Sequence, residues 1–365
     1  MRLAPAAMLL LAACEGGKKE SVQVGYRGLG EEINYKKSAL PAVAAANVAP
    51  PSLPPAASPS PVVQWQNVQV LTDVSANEFN RTMAAMTQWV SPKQSCAYCH
   101  NVANFASDEK YTKIVARRML QMTRDINGNY KAHVQQTGVT CYSCHRGNNV
   151  PQAGLWYYTD QNQYLRAYLD RSDVRVQSQT VAHTNANNSS IKQAENTYAL
   201  MIGMSKSLGV NCTYCHNSRS WTTWQNAPPA RITALYGLRM TRHINSEYIT
   251  SLQGTLPQNR LGPTHADVPK LQCSTCHQGV YKPLLGAQMA KDYPALWGAP
   301  TWERGGAADT NAVGITDLRG RDSLPTDASP RLPPRRAVPL AAPDPRAVPT
   351  ATAHPAAAPA TGAGQ

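Results

Sequence analysis

The chain has 365 residues, enough for one large domain or two ordinary ones, yet only 2 are Phe and much of its 42% hydrophobic content is alanine in proline-rich stretches. That composition excludes a core of ordinary size built from side chains alone, so something else must fill the interior. The formal charge of +13 suits a nucleic acid, an anionic membrane or an acidic protein, and does not choose among them.

In chain order, the first element reads as an export signal. Arg2 precedes an apolar run from Leu3 to Ala13, about 11 residues and too short to span a membrane. Leu11-Ala12-Ala13-Cys14 resembles the lipobox of bacterial lipoproteins, in which residues 1–13 are removed and the cysteine carries lipid. Acyl chains on Cys14 would hold the protein on a membrane surface. Residues 14–61 then form an anchored segment ending in the Pro/Ala run from Ala39 to Pro61, expected to be an extended linker that buries nothing.

Four helices follow, each ending at a cysteine motif. The first is expected from Ser75, with Ser75 and Glu78 as a capping pair, to just before Pro92. The second starts around Ser107-Asp108-Glu109 and stops near Gly128. The third runs from about Lys192 to Gly209, and the fourth from Pro228 to about Tyr248. "RMLQMTRDIN" (118–127) aligns without a gap on "YGLRMTRHIN" (236–245), so units one and two are echoed by units three and four. The expected organisation is one half over 62–150, a joining segment over 151–190, a second half over 191–298 and a disordered Pro/Ala-rich tail over 299–365. The tail from 301 holds 7 Lys+Arg and 6 Asp+Glu, so nearly all the net charge lies outside it.

Eight of the nine cysteines fall in four motifs: Cys96-Ala-Tyr-Cys99-His100, Cys141-Tyr-Ser-Cys144-His145, Cys212-Thr-Tyr-Cys215-His216 and Cys273-Ser-Thr-Cys276-His277. Paired Cys-x-x-Cys units can also hold zinc, and a single such pair can be a thiol redox site. A histidine directly after the second cysteine, four times and behind an export signal, is the c-type haem attachment pattern. Two thiols add to the vinyl groups of one haem and the adjacent imidazole becomes the fifth iron ligand: His100, His145, His216 and His277. Four covalent haems would supply the missing apolar interior. Their propionates, about −8 in all, would cancel most of the basic excess and argue against nucleic acid as a partner.

A sixth ligand of methionine or histidine closes the iron and suits electron transfer. The helices carry Met83 and Met86, Met119 and Met122, Met201 and Met204, and then Gly237 and Met240. Residues three apart share a helix face, so either methionine could reach a haem, and helical methionines are also ordinary packing. The second methionine is present in all four units, as packing requires. The first is absent from the fourth, as a ligand would be if that iron had another partner. Outside the motifs stand His133, His183, His243, His265 and His354. His133 lies eight residues before Cys141, and His265 stands eight before Cys273 in a rebuilt loop. His243 replaces Asp125 in the repeat and is expected to face water.

Through "VGYRGLG", "EFNRTM", "WVSPKQSCAYCH", "VARRML", "TGVTCYSCHRG", "LGVNCTYCHN", "CSTCHQGV" and "KDYPALWG", from about Val22 to Gly298, the chain resembles the tetrahaem cytochrome subunit of bacterial photosynthetic reaction centres. The resemblance implies a fold that is mainly α with long irregular loops, a multihaem cytochrome c of four helix–turn–Cys-x-x-Cys-His units in two pseudo-twofold-related pairs. It implies Met83, Met119 and Met201 as sixth ligands of haems one to three and His133 for haem four, with His265 as the alternative to Met119 left open by the spacing. It places Arg231 between the third haem and the pigments. The expected function is re-reduction of the photo-oxidised bacteriochlorophyll special pair by an electron carrier, not an enzyme, lipid-anchored at the periplasmic face of the inner membrane. Its partners would be the membrane-embedded reaction-centre subunits and a soluble cytochrome c or high-potential iron–sulfur protein. A tetrahaem carrier for a periplasmic respiratory reductase is the alternative, and it fits less well because such carriers more often use two histidines per iron.

Overall fold

The computed structural model describes residues 19–23, 32–57, 60–169, 190–219, 221 and 226–298. The leader with Cys14, His183 with half of the joining segment, and the tail with His354 lie outside the described residues.

Helices joined by long loops make up most of the described chain: α1 (Leu40–Ala46), α2 (Ala76–Val90), α3 (Tyr111–Asn129), α4 (Lys131–Val134), α5 (Cys141–His145), α6 (Ser190–Leu208), α7 (Ala230–His243) and α8 (Cys273–His277). An antiparallel hairpin joins β1 (Lys19–Gln23) to β2 (Glu32–Lys36), with Lys19 opposite Lys36. A short ladder pairs β3 (Trp156–Tyr157) with β4 (Lys270–Leu271), with Trp156 opposite Leu271.

Local signals set two helices as the sequence predicts. The Ser75 hydroxyl accepts the Glu78 N–H at 3.2 Å and α2 ends ahead of Pro92. α6 ends at Leu208 because Gly209 takes a left-handed φ of +65°, the usual role of glycine past a helix end. The other two helices differ. α3 begins at Tyr111, later than expected, because Asp108 is taken by the Arg117 guanidinium and the Lys113 ammonium. Lys113 Nζ also binds the carbonyls of Phe105, Ala106 and Ser107, holding that stretch as a loop. α7 ends at His243 and widens into one π turn over Ile244–Ile249.

Matched contacts repeat in the two halves. The Gly147 N–H donates to the Trp89 carbonyl at 2.9 Å, tying α5 to α2, and the Gly279 N–H donates to the Ser207 carbonyl at 2.9 Å, tying α8 to α6. The buried Asn127 amide binds the Val139 backbone on both its N–H and its C=O, and the buried Asn245 amide does the same to Leu271. Each amide therefore fixes the backbone two residues before a motif.

The halves also exchange their closing segments. Asn127 and Arg124 of the first half donate to the carbonyls of Leu296 and Ala295. Asn245 and Arg242 of the second half donate to the carbonyls of Tyr168 and Ala167. Trp89 meets Tyr293 edge to face at 4.7 Å, inside an apolar cluster that also holds Leu71, Ala85, Leu120 and Leu296. Each half thus completes its core with chain from beyond the other half's last motif or its own boundary, a cross-packing that local periodicity does not express.

The Pro/Ala segment corrects an expectation. It folds in part as α1, and its Asn47 is buried, bonding the carbonyls of Val43 and Gln278. The Arg81 guanidinium gathers the carbonyls of Leu53 and Pro54, while Tyr293 Oη accepts the Leu53 N–H at 3.0 Å. Proline leaves carbonyls without the donors that sheet or helix would supply, and here charged and aromatic side chains of the body supply the partners.

Candidate haem-binding site

The four cysteine motifs adopt two geometries. Motifs two and four are the short helices α5 and α8. Each starts with a side-chain cap, the Thr140 N–H on Ser143 Oγ at 3.0 Å and the Gln272 N–H on Thr275 Oγ1 at 3.1 Å. Each ends at a left-handed residue, Arg146 and Gln278. Motifs one and three are 3-10 turns, Ser95–Tyr98 and Cys212–Tyr214. The pairing of one with three and of two with four is the order the sequence repeat predicts.

All four motif histidines use Nδ1 in the same way. His145 and His277 donate to the carbonyls of Asn148 and Val280, three residues on, each at 3.0 Å. His100 and His216 reach five residues on, to Phe105 at 3.4 Å and Trp221 at 3.0 Å, and their rings lie against those aromatic side chains. His133 on α4 follows the pattern with the Thr233 carbonyl at 2.8 Å. Because a carbonyl only accepts, the proton sits on Nδ1 and Nε2 keeps its lone pair, the arrangement metal-binding histidines take. Burial pushes the pKa of all five below the ordinary histidine value, and for His277, with His133 as the next cause, down to about 4. Neutral imidazole is the form that binds metal.

His133 and His277 come from different halves, and their rings stand edge to face with centres 6.0 Å apart. Two metal–imidazole bonds of about 2.0–2.1 Å each, nitrogen to metal to nitrogen, leave ring centres roughly 6 Å apart. The spacing fits one ion between them.

A cavity of about 1460 Å³ opens among the helices, larger than the roughly 300–1,000 Å³ of a site for one small ligand. Motifs one, two and four line it, together with Met83, Met119 and His133, and Tyr214 reaches it from motif three. Met122 is buried against Ile126 and Ile244 and Met119 packs at the edge of that cluster, and both methionines line the cavity. Met201 and Met204 pack beside Leu200 and Cys273. His265 is exposed and lies off the cavity lining that Met119 shares. The cavity and the neutral imidazoles that line it, His100, His133, His145 and His277, fit haem.

The cysteines divide by burial. Cys96 and Cys212 are exposed, whereas Cys141 is buried and its thiol is pushed up to about 12. Cys144 and Cys276 differ from the thioether expectation, because the structure joins them as a disulfide with their Cα atoms 4.4 Å apart. Packing of α5 against α8 brings these two second cysteines together. A sulfur holds either that bridge or a haem vinyl carbon, so the two bonds are exclusive. The bridge also makes motifs two and four immediate neighbours.

Two further residues take definite places. Arg231 in the first turn of α7 is half-buried beside motif three, where its charge lowers the His216 pKa after burial has done so. His243 does not simply face water: its Nε2 meets Asp125 Oδ2 at 2.9 Å, across the halves. The sequence places Asp125 and His243 at equivalent repeat positions but gives no sign that equivalents meet. The backbone acceptors that orient the imidazoles were equally invisible, since no side-chain identity encodes them.

The family described as "Photosynthetic reaction centre cytochrome C subunit" matches residues 15–166 and 158–297. A photosynthetic reaction center cytochrome c subunit of Rubrivivax gelatinosus is 44% identical over 330 residues, covering 82% of this chain and 89% of that protein. The subunit of Thermochromatium tepidum is 44% identical over 319 residues, 80% and 78% of the two chains. That of Roseobacter denitrificans is 36% identical over 315 residues, 76% and 85%. The chain belongs to this family. The cytochrome is therefore a haem-carrying electron-transfer subunit associated with the reaction centre and its membrane. Among the described residues no helix is long and apolar enough to cross that membrane.

Proposed function

We propose that this cytochrome carries four covalent haems and returns electrons, one at a time, to the photo-oxidised bacteriochlorophyll special pair. The observation that carries the reading is the shared geometry of the imidazoles: five Nδ1–H groups on backbone carbonyls, and the His133 and His277 rings edge to face at 6.0 Å. Each haem supplies an iron that cycles between ferrous and ferric states. The chain holds it with two thioethers, from Cys96 and Cys99, Cys141 and Cys144, Cys212 and Cys215, and Cys273 and Cys276. The second cysteines of motifs two and four carry thioethers in this form in place of their bridge.

The motif histidines give each iron one ligand. Met83, Met119 and Met201 would each supply a second protein ligand to the iron at haems one to three, and His133 would supply it at haem four. A sixth ligand at each iron would leave no open position, which suits electron transfer and not oxygen chemistry. The adjacency of α5 and α8 supports the spatial order one, two, four, three. In that order the motif-three end, with Arg231, faces the pigments and the motif-one end faces a soluble donor, a small cytochrome c or a high-potential iron–sulfur protein. A lipid on Cys14 holds the subunit at the periplasmic surface, and nucleic acid has no part. Light-minus-dark spectra of membranes test the proposal: haem oxidation on illumination is expected, and a pigment cation that decays with no haem oxidised would contradict it.

A further inference from the structure

We infer that Gly237 selects the sixth ligand of the fourth haem, admitting His133 because it has no side chain. The inference rests on the reading that His133 and His277 bind one iron. Gly237 occupies the position that Met119 holds in the matching unit, and Met83 and Met201 in the other two. It lies inside α7 with a right-handed backbone, so no turn requires glycine there, and glycine in a helix interior is unfavourable relative to alanine. Its retention needs a contact to explain it.

That contact is the His133 ring. A Cβ built on Gly237 would stand 2.4 Å from Cε1, 2.7 Å from Nδ1 and 3.0 Å from Nε2 of His133. All three are far inside van der Waals contact. The ring is tethered on the α7 side. Its Nδ1–H is bound to the Thr233 carbonyl, one turn earlier on α7, and Ala132 beside it packs on the buried Tyr236. α7 therefore supplies both the space for the imidazole and the acceptor that fixes its tautomer. Gly237 is a positioning residue that acts through His133. A methyl group there moves the ring off the line to His277. A methionine there does more, because it places a thioether where the other three units place theirs.

The test uses the haem-loaded cytochrome and electron paramagnetic resonance, which separates an iron with two imidazoles from one with imidazole and thioether. Wild type is expected to show one haem of the first kind. Gly237→Ala should lose that signal. Gly237→Met should replace it with a fourth methionine-ligated haem and raise one titration wave, since methionine raises the potential relative to histidine. His133→Gly separates the two layers of the argument. If His133→Gly keeps the two-imidazole signal, the ligand reading itself fails. If His133→Gly abolishes it while Gly237→Ala leaves both signal and wave unchanged, the selector role of Gly237 is overturned and the ligand reading stands. Should Gly237→Ala fail to accumulate, the double variant with His133→Gly decides: recovery to the yield of His133→Gly is expected, and a yield no better than Gly237→Ala alone would overturn the role.

Discussion

Asp125 gathers three donors from both halves. His243 Nε2 and Tyr248 Oη reach its Oδ2 at 2.9 Å each, and the Asn129 amide reaches Oδ1. Arg118 caps the cluster from above, its guanidinium 4.6 Å from the Tyr248 ring centre and bonded to Glu247. Burial alone would raise the Asp125 pKa, yet the hydrogen bonds from His243, Asn129 and Tyr248 outweigh it and hold the carboxyl below the usual value. A depressed folded pKa means a carboxylate that stabilises the fold above the unfolded value of about 3.9 and ceases to do so as pH falls through the folded one. Asp125→Asn should thus cost on the order of 2 kcal/mol near neutral pH, as hydrogen bonds to a charged group do. Its melting temperature should also fall less steeply on acidification than that of wild type. Thermal unfolding of the haem-loaded protein across the acid range measures both, and an unchanged slope would show that Asp125 is not the group being titrated.

At the scale of elements, the exchange of closing segments does most to join the halves. Asn127→Ala would strand the Val139 N–H and the carbonyls of Val139 and Leu296, and Asn245→Ala would strand the equivalent groups at Leu271 and Tyr168. Unsatisfied buried groups cost about 1–3 kcal/mol each, so either variant should lower the melting temperature by several degrees, about equally; a loss at one asparagine alone would mean the two contacts are not equivalent. The sequence made the helices themselves legible wherever the signal was local, as with Ser75 at α2 and Gly209 after α6. It failed where a distant partner decides. Asp108 looked like a helix start until Arg117 claimed it, and residues 40–57 looked like a free linker until Arg81, Gln278 and Tyr293 were seen to receive them. The cysteine motifs were readable because Cys-x-x-Cys-His is a local spacing. His133 stood out as a candidate because one methionine was missing. The Thr233 carbonyl and the bare face of Gly237 were not, since tertiary packing alone brings them to the imidazole.

Across the whole molecule, the apolar clusters among the described residues are small and separate, and they surround a cavity instead of one continuous core. On the proposed reading haem completes that interior, so the fold and the cofactor would stand together. Replacing both cysteines of any one motif with alanine should remove a quarter of the haem and lower the yield, read by pyridine haemochrome and mass; full yield with cooperative unfolding at the wild-type temperature in a haem-free preparation would contradict the account. The deepest link between the halves is the pair His133 and His277, one imidazole from each, 6.0 Å apart around the proposed fourth iron. A redox titration comparing wild type with His133→Met tests that link most directly. One of four waves should rise, within the roughly 0.8 V that axial ligands span, and the other three should stay nearly fixed. Two waves moving together, or none, would show that His133 is not the dedicated ligand of a single haem.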